Sequence, residues 1–157
     1  MLNHEGIFFE GETLDLIHSL EKERLPIVSD EIHCTFRYHP APEEIFNNLV
    51  GKEMEVLLIG YGSDGQNSGF QIMLPKELAP YYINYVDEDK KELRIPHITA
   101  SLAEGAKASS TKDLHFEPLE RPVPIRGKFG FWIKEEDKEY LSFEPYGIKE
   151  EYDKMRV

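Results

Sequence analysis

EIHCTFRYH, residues 31–39, and RIPHITASLA, residues 94–103, follow one pattern, and together they decide the fold that we predict. Apolar and polar residues alternate in both stretches, as they do in a β-strand that buries one face. On the polar face of each strand, a histidine is followed two positions later by a threonine. Because alternate side chains of a strand leave from the same side, each stretch presents an imidazole beside a hydroxyl. The two pairs are His33 with Thr35 and His97 with Thr99.

Helices and further strands are predicted around these two stretches. Residues Thr13–Lys22 place their apolar side chains on one side of a helix, with Thr13 as its N-cap, and a second helix is predicted over 42–49. Residues 76–86 fit either a helix broken at Pro80 or a helical turn followed by a strand. Additional strands are predicted at 6–10, 53–62, 70–74, 123–133 and 139–145, with the second and third of these joined as a hairpin.

This mixture of strands, helices and hairpins indicates an α+β fold, in which helices pack on antiparallel sheet. With 157 residues, of which 40% are hydrophobic, the chain has the size and composition of one globular domain. We therefore expect a single domain that covers residues 1–157.

Charge and composition restrict the partners and the location of the protein. A formal net charge of −12 repels polyanions, so tight binding to long nucleic acid is not expected, whereas a small nucleotide or an RNA end is a suitable substrate. No signal-like N-terminus and no run of about 18 apolar residues is present, so we expect a cytoplasmic protein without membrane attachment. The single cysteine, Cys34, agrees with a reducing compartment. The sequence does not indicate an oligomeric state.

Two imidazoles and two hydroxyls on facing strands suit a displacement at phosphorus. Histidine exchanges protons near neutral pH, so one imidazole can take a proton from water while the other gives one to the leaving oxygen. The neighbouring hydroxyls can donate hydrogen bonds to the non-bridging phosphate oxygens. His33 and His97 are therefore the candidate catalytic residues, and Thr35 and Thr99 are the candidate phosphate-binding residues.

A metal centre is the rival interpretation of the histidines. A catalytic zinc ion generally takes three protein ligands, and we find no third, carboxylate ligand on the faces of His33 and His97. We accordingly predict neither a metal nor another cofactor.

Further substrate contacts are predicted from neighbours on the same strands. Arg37 follows Thr35 on its face and could offset phosphate charge or form a salt bridge at the strand end, and Ser101 follows Thr99 in the same way. Aromatic residues of other strands could stack on a base or belong to the core, namely Tyr61, Phe131 and Trp132.

The phrases HCTF, residues 33–36, and HITA, residues 97–100, resemble the paired signature of the two-histidine phosphoesterase superfamily. The wider text IPHITASLAEGAKASS followed by PIRGKFGFW is similar to the cyclic phosphodiesterase domain of tRNA ligases and its stand-alone bacterial relatives. Ser109 and Ser110 resemble a family segment of the form G-K-x-x-S-N, except that Ser110 stands in the place of the asparagine.

The resemblance implies a bilobal fold, in which two pseudo-repeat lobes of antiparallel sheet with outer helices surround a central cleft. Each lobe would contribute one histidine and one threonine, matching His33 with Thr35 and His97 with Thr99. The implied activity is a hydrolase that opens a 2′,3′-cyclic phosphate to a 2′-phosphate without a metal, as in RNA end processing. A non-catalytic nucleotide- or phosphate-binding domain on the same fold is the alternative. Neither the identity of the substrate nor the assignment of acid and base follows from the sequence.

Overall fold

The computed structural model describes residues 2–28, 31–42, 45–83 and 95–146. Within these ranges the chain forms eight strands, two α-helices and one 3-10 helix. The helices are α1 (Glu12–Ser19), α2 (Ala79–Ile83) and the 3-10 helix Ala108–Asp113. The strands are β1 (Leu2–Phe9), β2 (Ile27–Val28), β3 (Ile32–Tyr38), β4 (Glu53–Ser63), β5 (Asn67–Met73), β6 (His97–Leu102), β7 (Glu117–Glu135) and β8 (Lys138–Ser142).

All of these strands belong to one hydrogen-bonded sheet, with the order β2-β6-β5-β4-β7-β1-β3 and with β8 paired to β7. Every pairing is antiparallel, which confirms the predicted α+β class with its antiparallel sheet and the hairpin of β4 with β5. β3 is the last strand at one end of this order, and β6 is the second strand from the other end. These two strands nevertheless lie close together. The sheet therefore curves round and brings the two histidine-bearing strands towards each other.

The core lies on one face of the sheet and explains the alternation in the first part of β3. Ile7 and Phe9 of β1 are fully buried with Ile32, Cys34 and Phe36 of β3. The side chains between them on β3 point to the other face, where His33 and Thr35 are only partly buried. Burial of the apolar residues on one face thus places the imidazole and the hydroxyl on the opposite face.

The predicted helix over 42–49 is wrong in the described part of that segment, because residues 47–50 form turns. Tertiary hydrogen bonds use the groups that a helix would need there. The Phe46 backbone N–H donates to Glu5 Oε1 at 2.8 Å, and the Asn47 side chain bonds both backbone groups of Tyr146. Glu43 and Glu44, in the middle of the prediction, lie outside the described residues.

Two other segments were predicted to contain helices. The first helix is confirmed, but it begins at Glu12 after Gly11, whose backbone has φ 62°, so Thr13 lies inside the helix and is not its N-cap. Within 76–86, Ala79–Ile83 forms α2, with Pro80 in its first turn. Residues 84–86 lie outside the described part, so both alternatives for this segment stay predictions. The helices that are described are too short to cross a membrane.

Candidate active site

A cavity of about 430 Å³ lies between β3 and β6. Both histidine–threonine pairs line it, so the structure brings together all four residues that the sequence singled out. Other side chains of the lining come from β3 and its approach, from β2, from β6 and from the 3-10 helix, namely Glu31, Tyr38, Ile27, Ser101, Ser109 and Lys112. The cavity therefore joins two strands that are far apart in the sequence.

His33 is held by a carboxylate that precedes it on the same strand face. Its Nδ1 lies 2.8 Å from Oε1 of Glu31, and about 29% of the imidazole is exposed. Since a carboxylate only accepts, Nδ1–H of His33 donates this bond, and Nε2 is the ring nitrogen that carries the lone pair. A charged partner makes this the stronger kind of hydrogen bond and fixes the ring orientation.

His97 is held in a similar way by a neutral acceptor. Its Nδ1 lies 2.7 Å from the carbonyl oxygen of Ile95, two positions earlier in the chain. Nδ1–H must donate to this carbonyl, so Nε2 of the neutral ring again carries the lone pair. Both imidazoles are thus oriented through Nδ1 by the residue at position i−2, once by a side chain and once by the backbone.

The two threonines differ in their surroundings. The Thr35 hydroxyl has no hydrogen-bond partner among the described residues, whereas Thr99 Oγ1 lies 2.7 Å from Oγ1 of the buried Thr111. Behind Thr111, the Asn67 side chain donates to Thr111 Oγ1 at 3.0 Å and to the Lys107 carbonyl at 2.7 Å. Because Asn67 occupies an acceptor site of Thr111, the Thr111 hydroxyl can donate to Thr99. The proton of Thr99 is then left for a ligand, apart from a long 3.4 Å bond to Ala108 O.

A third histidine lies behind His33. The ring of His4 stacks on that of His33 with centroids 4.5 Å apart and an interplanar angle of 28°, and the Trp132 ring also stacks on His4, with centroids 6.2 Å apart. His4 is buried, and its Nδ1 bonds Asn3 Oδ1 at 2.8 Å. Burial, with smaller contributions from the charges of His33 and His39, lowers the pKa of His4 from 6.5 to about 3. His4 is therefore uncharged at neutral pH.

One predicted substrate contact, Arg37, is placed differently by the structure. Arg37 is buried and does not line the cavity; its guanidinium donates to the carbonyls of Phe36 and Tyr81. The pairing of β1 with β3 shifts register between Glu5 and Gly6, and this irregularity puts Tyr38 on the cavity side instead.

Ser101 lines the cavity as expected, but its hydroxyl is engaged elsewhere. It accepts from the Leu25 N–H at 3.0 Å and donates to Glu21 Oε2 at 3.1 Å. These bonds tie β6 to the segment after α1, so the hydroxyl serves the framework of the site.

The aromatic candidates for base stacking lie away from the cavity. Tyr61 and Phe131 belong to the core, and Trp132 stacks on His4. Tyr38, with 48% of its surface exposed, is the aromatic residue that lines the cavity. In the loop, Ser109 lines the cavity, whereas Ser110 does not.

Several residues of the site were not predicted from the sequence, although the position of one of them could have been. Glu31 stands two positions before His33, so strand alternation already places it beside the imidazole and supplies the carboxylate that the sequence analysis did not find. His4 reaches His33 through the pairing of β1 with β3, which no local pattern indicates. Together, ligand atoms of His4, Glu31 and His33 lie within 4.8 Å of one another, and these residues could hold a metal ion.

No family model matches this chain, and no curated protein matches it.

Proposed function

We propose that the protein is a metal-independent cyclic phosphodiesterase that opens a 2′,3′-cyclic phosphate of a nucleotide or of an RNA end. The observation that carries the proposal is the cavity in which two imidazoles, each oriented through Nδ1, lie with a threonine hydroxyl from the same strand. Four such groups on two strands match the demands of in-line displacement at phosphorus.

The reaction needs two proton transfers, and Nε2 is the ring nitrogen through which each histidine would perform one of them. One imidazole takes a proton from water as the water oxygen bonds to phosphorus. The other, as imidazolium, protonates the 3′ oxygen as its bond to phosphorus breaks. The product is then a 2′-phosphate with a free 3′-hydroxyl, and the two histidines have exchanged protonation states and return through solvent.

The threonines would bind the non-bridging oxygens. The Thr35 hydroxyl and the Thr99 hydroxyl, backed by Thr111, supply donors from opposite sides of the cavity. Lys112 is the cationic side chain among the described lining residues and would face the same charge. Such donors stabilise the charge that develops at phosphorus.

The proposal includes a bilobal arrangement in which each half of the chain supplies one histidine and one threonine. β3 and β6 lie near opposite ends of the strand order, and the cavity lies between them. This arrangement supports the division into two halves. The fold would then act as a cytoplasmic domain on small substrates, in keeping with a net charge of −12.

The test is hydrolysis of the four nucleoside 2′,3′-cyclic phosphates in excess EDTA, with separation of the 2′- and 3′-phosphate products. We expect turnover by the wild type and a loss of about 10²- to 10⁴-fold in His33→Ala and in His97→Ala. His115→Ala is the matched control, since His115 is an exposed histidine that does not line the cavity.

Other outcomes would select the alternatives. A nucleotide that raises the melting temperature but is recovered unchanged would indicate a binding domain. Activity that EDTA abolishes and added zinc or manganese restores would indicate a metal-dependent hydrolase.

A further inference from the structure

The candidate catalytic residue His33 belongs to a group of potential metal ligands, and the other two members, His4 and Glu31, take no direct part in the proposed phosphodiesterase reaction. His4 from β1, Glu31 from the approach to β3 and His33 from β3 place one ligand atom each within 4.8 Å of the others. Two imidazoles with one carboxylate form the ligand set of many zinc sites, and a fourth position would be left for water.

The hydrogen bonds of His4 favour its use as a ligand. Its Nδ1 lies 2.8 Å from Asn3 Oδ1, which can accept the ring proton, and the lone pair then resides on Nε2. Nε2 is buried and has no hydrogen-bond partner among the described residues. Metal-binding histidines usually donate their other ring N–H to an oxygen in this way, whereas a buried nitrogen without a partner costs stability.

Glu31 and His33 already lie side by side, and only a small side-chain shift separates them from the distance of about 3.3 Å that two ligands of a tetrahedral zinc ion require. Glu31 Oε1 and His33 Nδ1 lie 2.8 Å apart, and both belong to partly exposed side chains, so an ion can reach them from the cavity side. An ion between these atoms would take the place of the proton that Nδ1 donates to the carboxylate.

We propose that His4, Glu31 and His33 form a binding site for a divalent transition-metal ion, with Zn²⁺ as the typical occupant, and that occupation inhibits the enzyme. The inhibitory part rests on the proposed phosphodiesterase function; the binding part does not. With Nδ1 of His33 on the metal, the single ring proton must sit on Nε2. Nε2 then has no lone pair to accept a proton, and the ring cannot form the imidazolium that would donate one. Inhibition follows whichever proton transfer His33 performs.

The binding experiment is a calorimetric titration of the metal-free protein with ZnCl₂. We expect one ion per chain for the wild type, and affinity at least about 10-fold weaker in His4→Phe and in Glu31→Gln. Phenylalanine keeps a ring in the stack, and glutamine keeps an acceptor for His33, so the two variants probe the ligands by different routes. Circular dichroism checks that each variant is folded.

The chain offers a matched control for these variants. His115 Nε2 lies 3.0 Å from Glu117 Oε1 in an exposed pair outside the cavity. His115→Gln should bind Zn²⁺ as tightly as the wild type does. Absence of saturable binding by the wild type, or equal affinity in all four proteins, would overturn the site.

Fluorescence gives a second, local measurement. Trp132 is the only tryptophan of the chain, and its ring lies 6.2 Å from that of His4. Cu²⁺, which binds N/O sites more tightly than Zn²⁺ does, should quench the emission in the wild type and in His115→Gln, and quench it much less in His4→Phe. Equal quenching in the wild type and in His4→Phe would count against the assignment of His4 as a ligand.

The inhibitory part is tested by hydrolysis of cyclic phosphate with increasing Zn²⁺. Activity should fall over the concentration range in which calorimetry shows binding, and EDTA should restore it. Binding without inhibition would refute the inhibitory role alone. A wild type that binds Zn²⁺ but hydrolyses no cyclic phosphate in EDTA would contradict the proposed function and leave the metal site established.

Discussion

The hydroxyl oxygens of Thr99 and Thr111 lie 2.7 Å apart, with Thr99 in the cavity lining and Thr111 fully buried behind it. Asn67 of β5 completes this series through its 3.0 Å bond to Thr111. The series fixes the rotamer of Thr99, whose hydroxyl also makes a long bond of 3.4 Å to the Ala108 carbonyl. The framework thus orients one of the proposed phosphate-binding residues.

Replacing Thr111 by valine tests this arrangement. Valine matches the shape of threonine but removes the hydroxyl, so Thr99 loses its fixed partner and the buried Asn67 amide loses one of its acceptors. We expect unfolding to require about 1–3 kcal/mol less free energy and the kcat/KM for cyclic phosphate to fall. Urea unfolding and steady-state kinetics measure the two effects. Thr111→Ser, which keeps the hydroxyl, should retain most of the activity, and equal activity of the valine and serine variants would contradict the role.

Replacing Glu31 by glutamine tests the orientation of His33. The amide oxygen can still accept from Nδ1–H, but the negative charge beside the ring is lost, so the bond loses its charge-assisted character. We expect kcat to fall by about 10-fold or more, with little change in stability because the Glu31 carboxylate is partly exposed. Glu117→Gln alters the carboxylate beside His115 and should leave kcat unchanged. These assays require EDTA, so that bound metal does not obscure the comparison.

Buried His4 should make the fold sensitive to mild acid. Its pKa is lowered from 6.5 to about 3, so between these values the unfolded chain takes up a proton that the folded chain does not. The free energy of unfolding therefore decreases as the pH falls below 6.5. We expect this decrease to be about 2 kcal/mol between pH 7 and pH 5.

Urea unfolding at pH 7, 6 and 5 in EDTA measures this dependence. His4→Phe, which has no titrating ring, should lose less stability over the same range, by about 2 kcal/mol. Parallel curves for the wild type and His4→Phe would show that His4 takes up its proton in the folded protein as well.

Lys112 should attract the substrate by charge. It lines the cavity from the 3-10 helix, on a surface that is exposed to solvent. We expect Lys112→Gln to raise KM by about 2- to 5-fold at low ionic strength, and the difference should shrink in added salt. Lys107→Gln is the control, because Lys107 is exposed nearby but does not line the cavity. A similar rise of KM in both variants would point to the net charge of the protein and not to the cavity.

The strands that carry the histidines were predictable because their alternation is strict and one face is buried. Other features depend on partners that no local pattern names. Arg37 does not lie on the predicted face, because the pairing of β1 with β3 shifts register between Glu5 and Gly6. In the described part of 42–49, hydrogen bonds with distant residues such as Tyr146 replace those of the predicted helix.

The length of β7 was also not predictable from a local pattern. It extends from Glu117, earlier than the predicted start at 123, although prolines at 118, 122 and 124 argue against a central strand. The structure resolves this conflict, since β1 pairs with β7 only over 128–133 and the proline-rich part pairs with β4 alone among the described strands. The grouping of each histidine with its threonine was easier to predict than this geometry, because strand alternation alone puts the members of a pair on one face.

The central position of β7 has a consequence for the order in which the protein is assembled. Among the described strands, β1 and β3 join the rest of the sheet only through β7, which pairs with β4, β1 and β8. A nascent chain on the ribosome can pair β1 with β3 and β4 with β5 early, because these pairs need no residue beyond 73. The pair that carries His33 can join the sheet that carries His97 only after β7 has emerged, and truncations that remove β7 should abolish the cavity while leaving both histidines in the chain.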